Sequence, residues 1–120
     1  MPHLRIETNV PSIKIPKDLP QKLCSTIASS LGKPIGYCVA TVVGDVNMSW
    51  GGSTDPAAQA TLMSIGALGV SENKKHSKAI FEVVEKELGV SKDRMYVSYI
   101  NAPTSDVGYN GTTFHEIFGN

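Results

Sequence analysis

Hydrophobic positions alternate at the start of the chain and then change period. From His3 to Asn9, Leu4, Ile6 and Thr8 fall on one side and Arg5 and Glu7 on the other. Period two predicts a strand with one buried face. Pro11, Pro16 and Pro20 interrupt it. Asp18 is placed to cap a helix that tolerates Pro20 in its first turn. Leu19, Leu23, Ile27 and Leu31 then recur at every fourth position, with Cys24 and Ala28 beside them. That stripe predicts one apolar helix face, stopped by Gly32 and Pro34. Tyr37 to Val43 is rich in β-branched and aromatic residues and predicts a second strand.

The same order returns in the second half. Ala60 to Ile65 predicts a strand, Ser71 or Asn73 a helix start, and Ile80, Val83, Val84 and Leu88 its buried face. Gly89 ends the helix, and Met95 to Ile100 predicts another strand. The pattern is two β-α-β units with pseudo-repeat halves of about 1–58 and 59–120, in a single domain covering 1–120. Parallel strands with right-handed crossovers build a mainly parallel four-stranded α/β sheet with both helices on one face. The other face is too apolar to meet water, which calls for association through the sheets. Asn47 to Trp50 and Val107 to Phe118 are candidate edge strands that reach neighbouring subunits.

Composition narrows the function classes. The 120 residues carry 11 basic and 11 acidic side chains, for a net charge of zero. Such a balance argues against nucleic acid or an anionic membrane as the main partner. No transmembrane segment is evident, and residues 1–10 lack the charged-then-apolar form of a secretory signal. The sequons at Asn47 and Asn110 are therefore expected to stay unmodified. Cys24 and Cys38 have no metal-ligand spacing and are read as reduced, largely buried thiols; no metal and no cofactor are expected. Lys74, Lys75, His76 and Lys78 read as a solvated helix end, and His3 as a sheet-surface or interface residue.

Pro2 is the candidate with the most distinctive chemistry. If Met1 is trimmed, the chain begins with a secondary amine, and an α-amino group titrates near neutrality, at about 7.7–8.0 in peptides. Around it, a set of strings occurs in order: Thr8-Asn9-Val10-Pro11, Leu31-Gly32-Lys33-Pro34, Gly51-Gly52-Ser53-Thr54-Asp55-Pro56, Ser64-Ile65-Gly66, His76-Ser77, Asp93-Arg94-Met95-Tyr96 and Val107-Gly108-Tyr109-Asn110-Gly111-Thr112-Thr113-Phe114. In their order and with Pro2, these strings resemble the macrophage migration inhibitory factor family, which includes D-dopachrome tautomerase. The resemblance runs from Pro2 to about Phe114.

The resemblance implies a homotrimer whose sheets face its interior, with an active site at each subunit interface. Pro2 would be the base of a keto–enol tautomerase acting on phenylpyruvate, hydroxyphenylpyruvate or dopachrome-type substrates. Lys33 would bind the substrate carboxylate, aided by the Ile65 N–H. Tyr96 and Ser98 would come from the neighbouring subunit, and Val107, Tyr109 and Phe114 would form an apolar wall. The chemistry suits these residues: enolisation needs a base poised near working pH and a cation for the substrate's charge.

The family also implies a cytokine-like signal for a cell-surface receptor, cytoplasmic and secreted without a signal peptide. The alternatives are a receptor-binding mimic with a vestigial pocket and a ferredoxin-like regulatory module. Three departures stand out. Ser98 replaces the usual asparagine and Tyr109 the usual tryptophan, while Ala57-Ala58-Gln59-Ala60 lacks the Cys-x-x-Cys of the vertebrate cytokine, so no thiol–disulfide activity is expected. The tail from His115 to Asn120 runs past the usual end; Ile117 and Phe118 pack on a neighbour or the pocket mouth, or fray.

Overall fold

The computed structural model describes residues 1–119. Four strands form the main sheet: β1 (Pro2–Thr8), β2 (Val39–Val43), β3 (Ala58–Ser64) and β4 (Met95–Asn101). Two long helices, α1 (Leu19–Leu31) and α2 (Val70–Leu88), connect β1 to β2 and β3 to β4. The sheet order is β2-β1-β3-β4. Both β-α-β units are parallel within themselves, but β1 and β3 meet antiparallel at the centre. The expected mainly parallel sheet is thus two parallel pairs placed head to tail.

Leu4, Ile6, Ala60 and Leu62 meet Leu19, Leu23 and Ile27 of α1 and Ile80 and Val84 of α2 in the core. Every member of the predicted α1 stripe is buried. On α2, Ile80, Val84 and Leu88 are buried while Val83 lies at the margin. Both helices end on left-handed glycines, Gly32 at φ 67° and Gly89 at φ 69°, conformations that a side chain would strain. α2 starts at Val70, one residue before the earlier of the two expected starts, and Asn73 Oδ1 accepts from the Gly69 N–H at 3.3 Å. Asp18 does stand at the α1 N-cap position, but its carboxylate pairs with Lys22 at 3.6 Å rather than with a helix N–H.

Many of the resemblance strings meet at the sheet end away from Pro2. Asn9 Nδ2 donates to the Thr54 and Asp55 carbonyls, while its Oδ1 accepts from the Ala57 N–H at 2.8 Å. Arg94 donates to the Ser53, Asp55 and Pro56 carbonyls. Thr8 Oγ1 donates to the Ala57 carbonyl at 2.7 Å. These contacts satisfy a loop that has almost no regular pairing of its own.

Four local expectations change. Tyr37 is not in a strand: Ile35–Tyr37 forms a 3₁₀ turn after Pro34, whose carbonyl takes the Tyr37 N–H at 3.0 Å. Asn47 to Trp50 forms no strand, only a Trp50–Ser53 bridge. Val107 to Phe118 folds back on itself as a small hairpin, β5 (Gly108–Tyr109) and β6 (Thr112–Thr113), followed by α3 (Phe114–Phe118). The left-handed pair Asn110 and Gly111 makes that reversal, as tight hairpin turns require. The two thiols are half-buried rather than buried: Cys24 donates to the Cys38 carbonyl at 3.4 Å and Cys38 to the Pro34 carbonyl at 3.6 Å.

The sheet face away from the helices presents Val39, Thr41 and Val43, then His3, Arg5 and Glu7, Gln59, Thr61 and Met63, and Tyr96, Ser98 and Ile100 in register. The face is mixed and not uniformly apolar as expected, since Arg5, Gln59 and Ser98 are exposed on it beside Val39, Tyr96 and Ile100, with Tyr96 at 68%. Among the described residues no helix is long and apolar enough to cross a membrane.

Candidate active site

Three pieces of chain converge on Pro2. The first is β1 itself, whose opening residue Pro2 pairs with Ser64 at the end of β3. The second is the turn after α1, where left-handed Gly32 redirects the chain and projects Lys33 toward the end of β3. Lys33 Nζ donates to the Ile65 carbonyl at 3.0 Å. The third is the segment from Val107 to α3, tied back by the Phe114 N–H on the Val107 carbonyl at 3.0 Å.

Two adjoining cavities result. One, of about 240 Å³, is lined by Met1, Lys33, Pro34, Ile65 and three rings, Tyr37, Phe114 and Phe118. The other, of about 320 Å³, adds Pro2, His3, Val107 and Tyr109 and shares Met1, Tyr37 and Phe114 with the first. Tyr109 stacks on Phe114 with centroids 5.3 Å apart, and Tyr37 meets both rings edge-on at 5.6 and 6.3 Å. Rings in these arrangements stiffen a wall as well as making it apolar. Ser64 Oγ, in the position paired with Pro2, is buried with no hydrogen-bond partner among the described residues.

Met1 occupies a place between both cavities. Its amide to Pro2 leaves the proline nitrogen without a basic lone pair, so only a chain trimmed of Met1 has a base at Pro2. The Met1 amine reports the electrostatics of the spot. Burial lowers its pKa below the ordinary α-amino value; Cys38 acts against this and Lys33 with it. The Cys38 thiol is itself held up by burial and by Cys24, which disfavours the reactive thiolate.

Pro2, Lys33, Ile65, Val107, Tyr109 and Phe114 are therefore brought together within one chain. Tyr96 and Ser98 are not. They lie on the open sheet face, where Tyr96 packs against Trp50 at 4.5 Å. Ile65 offers its carbonyl to Lys33 here. Two further rings line the site: Tyr37, which the β-rich run from Tyr37 to Val43 hides in the sequence, and Phe118, which packs at the cavity.

The run Lys74 to Lys78 reads as a solvated helix end, yet His76 is 1% exposed. Its Nε2 donates to the Ala67 carbonyl at 2.8 Å, so Nδ1 of that tautomer accepts from Ser30 Oγ at 2.6 Å. Ser30 lies one turn before Lys33, and Ala67 lies two residues after Ile65 at the strained φ of 60°. The spacing of His76 four residues before Ile80, on the same helix face, was the available signal.

The comparisons decide the family. The model for macrophage migration inhibitory factor (MIF) matches residues 1–115. The chain belongs to this family. A macrophage migration inhibitory factor homolog of Trichinella spiralis is 40% identical over 114 residues, covering 95% of this chain and 100% of the relative. The macrophage migration inhibitory factor of Meriones unguiculatus is 38% identical, covering 95% and 99%. Among solved structures, the Trichinella spiralis factor superposes with a TM-score of 0.91 at 38% identity, over 93% of this chain and 99% of that one. The Prochlorococcus marinus homologue gives 0.87 at 32% identity, covering 93% and 98%. The MIF family belongs to the tautomerase superfamily, which makes isomerase chemistry the frame in which to read the cavity.

Proposed function

We propose that the chain, once trimmed of Met1, is a keto–enol tautomerase for aromatic α-keto acids such as phenylpyruvate or hydroxyphenylpyruvate, with dopachrome-type substrates as further candidates. The observation that carries the reading is the placement of Pro2 and one cation, Lys33, in two adjoining cavities that share Met1 and the rings of Tyr37 and Phe114. The substrate carboxylate binds Lys33, and its ring lies against Tyr37, Tyr109 and Phe114. The Pro2 amine takes a proton from the carbon beside the ketone. The C–H electron pair becomes the new C=C bond, and the protonated Pro2 gives its proton up to the carbonyl oxygen, directly or through water, to yield the enol and regenerate the free amine. Reversal returns the proton to carbon, so no oxidant or co-reactant is consumed.

The site is completed in a homotrimer. The open sheet face with Tyr96 and Ser98 supports this, because in that assembly a neighbour's Tyr96 and Ser98 reach the cavity that their own chain cannot fill. The names of the relatives support a second role, a cytokine-like signal read by a cell-surface receptor, alongside a cytoplasmic pool.

Turnover of phenylpyruvate by chain verified by mass to begin at Pro2, and its loss in Pro2→Ala, tests the enzyme reading. Equal turnover by Pro2→Ala or by chain retaining Met1 refutes it. Receptor signalling that persists in Pro2→Ala would establish the signal as independent of catalysis.

A further inference from the structure

One wall of the cavity comes from chain outside the family match. That match ends at residue 115, whereas α3 runs from Phe114 to Phe118 and straddles the boundary. The extra turn has its own stops. Thr113 Oγ1 accepts from the Glu116 N–H at 3.4 Å, and left-handed Gly119 donates its N–H to the His115 carbonyl. With both ends closed, the turn aims Phe118 in one direction.

Phe118 points back at the site. Its ring lies 5.3 Å from Phe114, which in turn stacks on Tyr109. The three rings form one continuous run. Phe118 ends it on the Lys33 side: it lines the cavity holding Lys33 and Ile65 and is absent from the neighbouring cavity of Val107 and Tyr109. The ring is still 59% exposed, so much of its apolar surface remains to be covered. Because Phe118 and Lys33 line one cavity, a planar ligand with its carboxylate on Lys33 would have this surface within reach of its ring.

We propose that Phe118 is a specificity-determining residue that selects ring-bearing carboxylates over aliphatic ones of the same head group. The proposal rests on the tautomerase reading for its kinetic test but not for its binding test. It assigns Phe118 no part in proton transfer.

Kinetics of Phe118→Ala, Phe118→Tyr and a chain ending at His115 separate the possibilities. In Phe118→Ala and the shortened chain, KM for phenylpyruvate should rise roughly three- to tenfold, the scale of half-burying a phenyl side chain. Turnover number and the acid limb of the rate profile should stay at wild-type values, and Phe118→Tyr should restore KM. The aliphatic 4-methyl-2-oxopentanoate should change less than twofold. Equal changes for both substrates, or an unchanged KM for phenylpyruvate, would overturn the proposal. Calorimetric titration with 3-phenylpropanoate keeps the question separate from catalysis. Weaker binding by Phe118→Ala supports the assignment even where wild type shows no turnover, a result that would sink the tautomerase reading alone. Unchanged affinity refutes the assignment in either case.

Discussion

Lys33 donates its ammonium to the main-chain oxygen of Ile65 at 3.0 Å, joining the end of α1 to the end of β3 across the mouth of the cavity. A lysine held this way keeps two further N–H donors for a carboxylate. The contact also fixes where the cation sits, because Gly32 behind it is left-handed and Pro34 ahead of it cannot continue a helix.

Lys33→Ala should therefore weaken carboxylate substrates by about 1.5–3 kcal/mol, the range for a hydrogen bond to a charged group. The corresponding esters should lose much less. Competitive inhibition by matched acid and ester pairs measures the difference. Equal losses would mean that Lys33 acts through cavity shape.

The acid limb of the rate profile should lie below the ordinary α-amino range. Burial depresses the amine at this point in the chain, and Lys33 adds to it, with Cys38 opposing. Pro2 stands one residue further in and is more deeply buried than Met1. The sign is that of a base: neutral amine accepts the proton, so activity is full above the depressed pKa and falls as pH drops through it. Lys33→Ala should move that limb to higher pH, because a repelling cation is gone. A limb at or above the free α-amino value in wild type would contradict this.

Light scattering should give three times the 12.8 kDa chain mass. Complementation tests the shared site directly. Pro2→Ala and Tyr96→Ala chains should each be impaired alone, yet their coexpression should recover activity, because some mixed interfaces pair an intact Pro2 with an intact Tyr96. A monomer at micromolar concentration, or no recovery in mixed trimers, would place the site within one chain.

His76→Ala should destabilise the fold by about 3 kcal/mol, since it opens a cavity and strands the buried Ser30 hydroxyl and the half-buried Ala67 carbonyl. Ser30→Ala should cost about 1 kcal/mol, and the double variant less than the sum, because the two share one hydrogen bond. Urea melts of the four proteins give the coupling. Additive losses would show that the 2.6 Å contact is energetically idle.

Period and residue type together were enough to read the four strands of the main sheet and the two long helices, though not every end, since β2 begins at Val39 and not at Tyr37. Leu4, Ile6 and Thr8 alternate, and Leu19 to Leu31 step by four, because a residue's neighbours along an element decide which face it shows. Gly32 and Gly89 were legible for a similar reason, as helix stops written into a few adjacent residues. Pro2, Lys33, Ile65, Val107, Tyr109 and Phe114 were named from motif strings, and the fold gathers them at one end of the sheet. Other features were decided by packing between distant segments. Spacing sets His76 on the Ile80 face, unlike Lys75, but its partners exist only when α2 lies against Ser30 and Ala67. Tyr37 belongs to a β-rich run until Pro34 draws it into a turn facing Phe114. β1 and β3 are antiparallel because the two units pack head to tail, a relation between halves that neither half encodes alone. Phe118 becomes a cavity wall only when the hairpin returns α3 toward Lys33, some 80 residues earlier in the chain. Such contacts depend on the sum of many long-range burials, so they emerge with the assembled core and not with any single stretch of sequence.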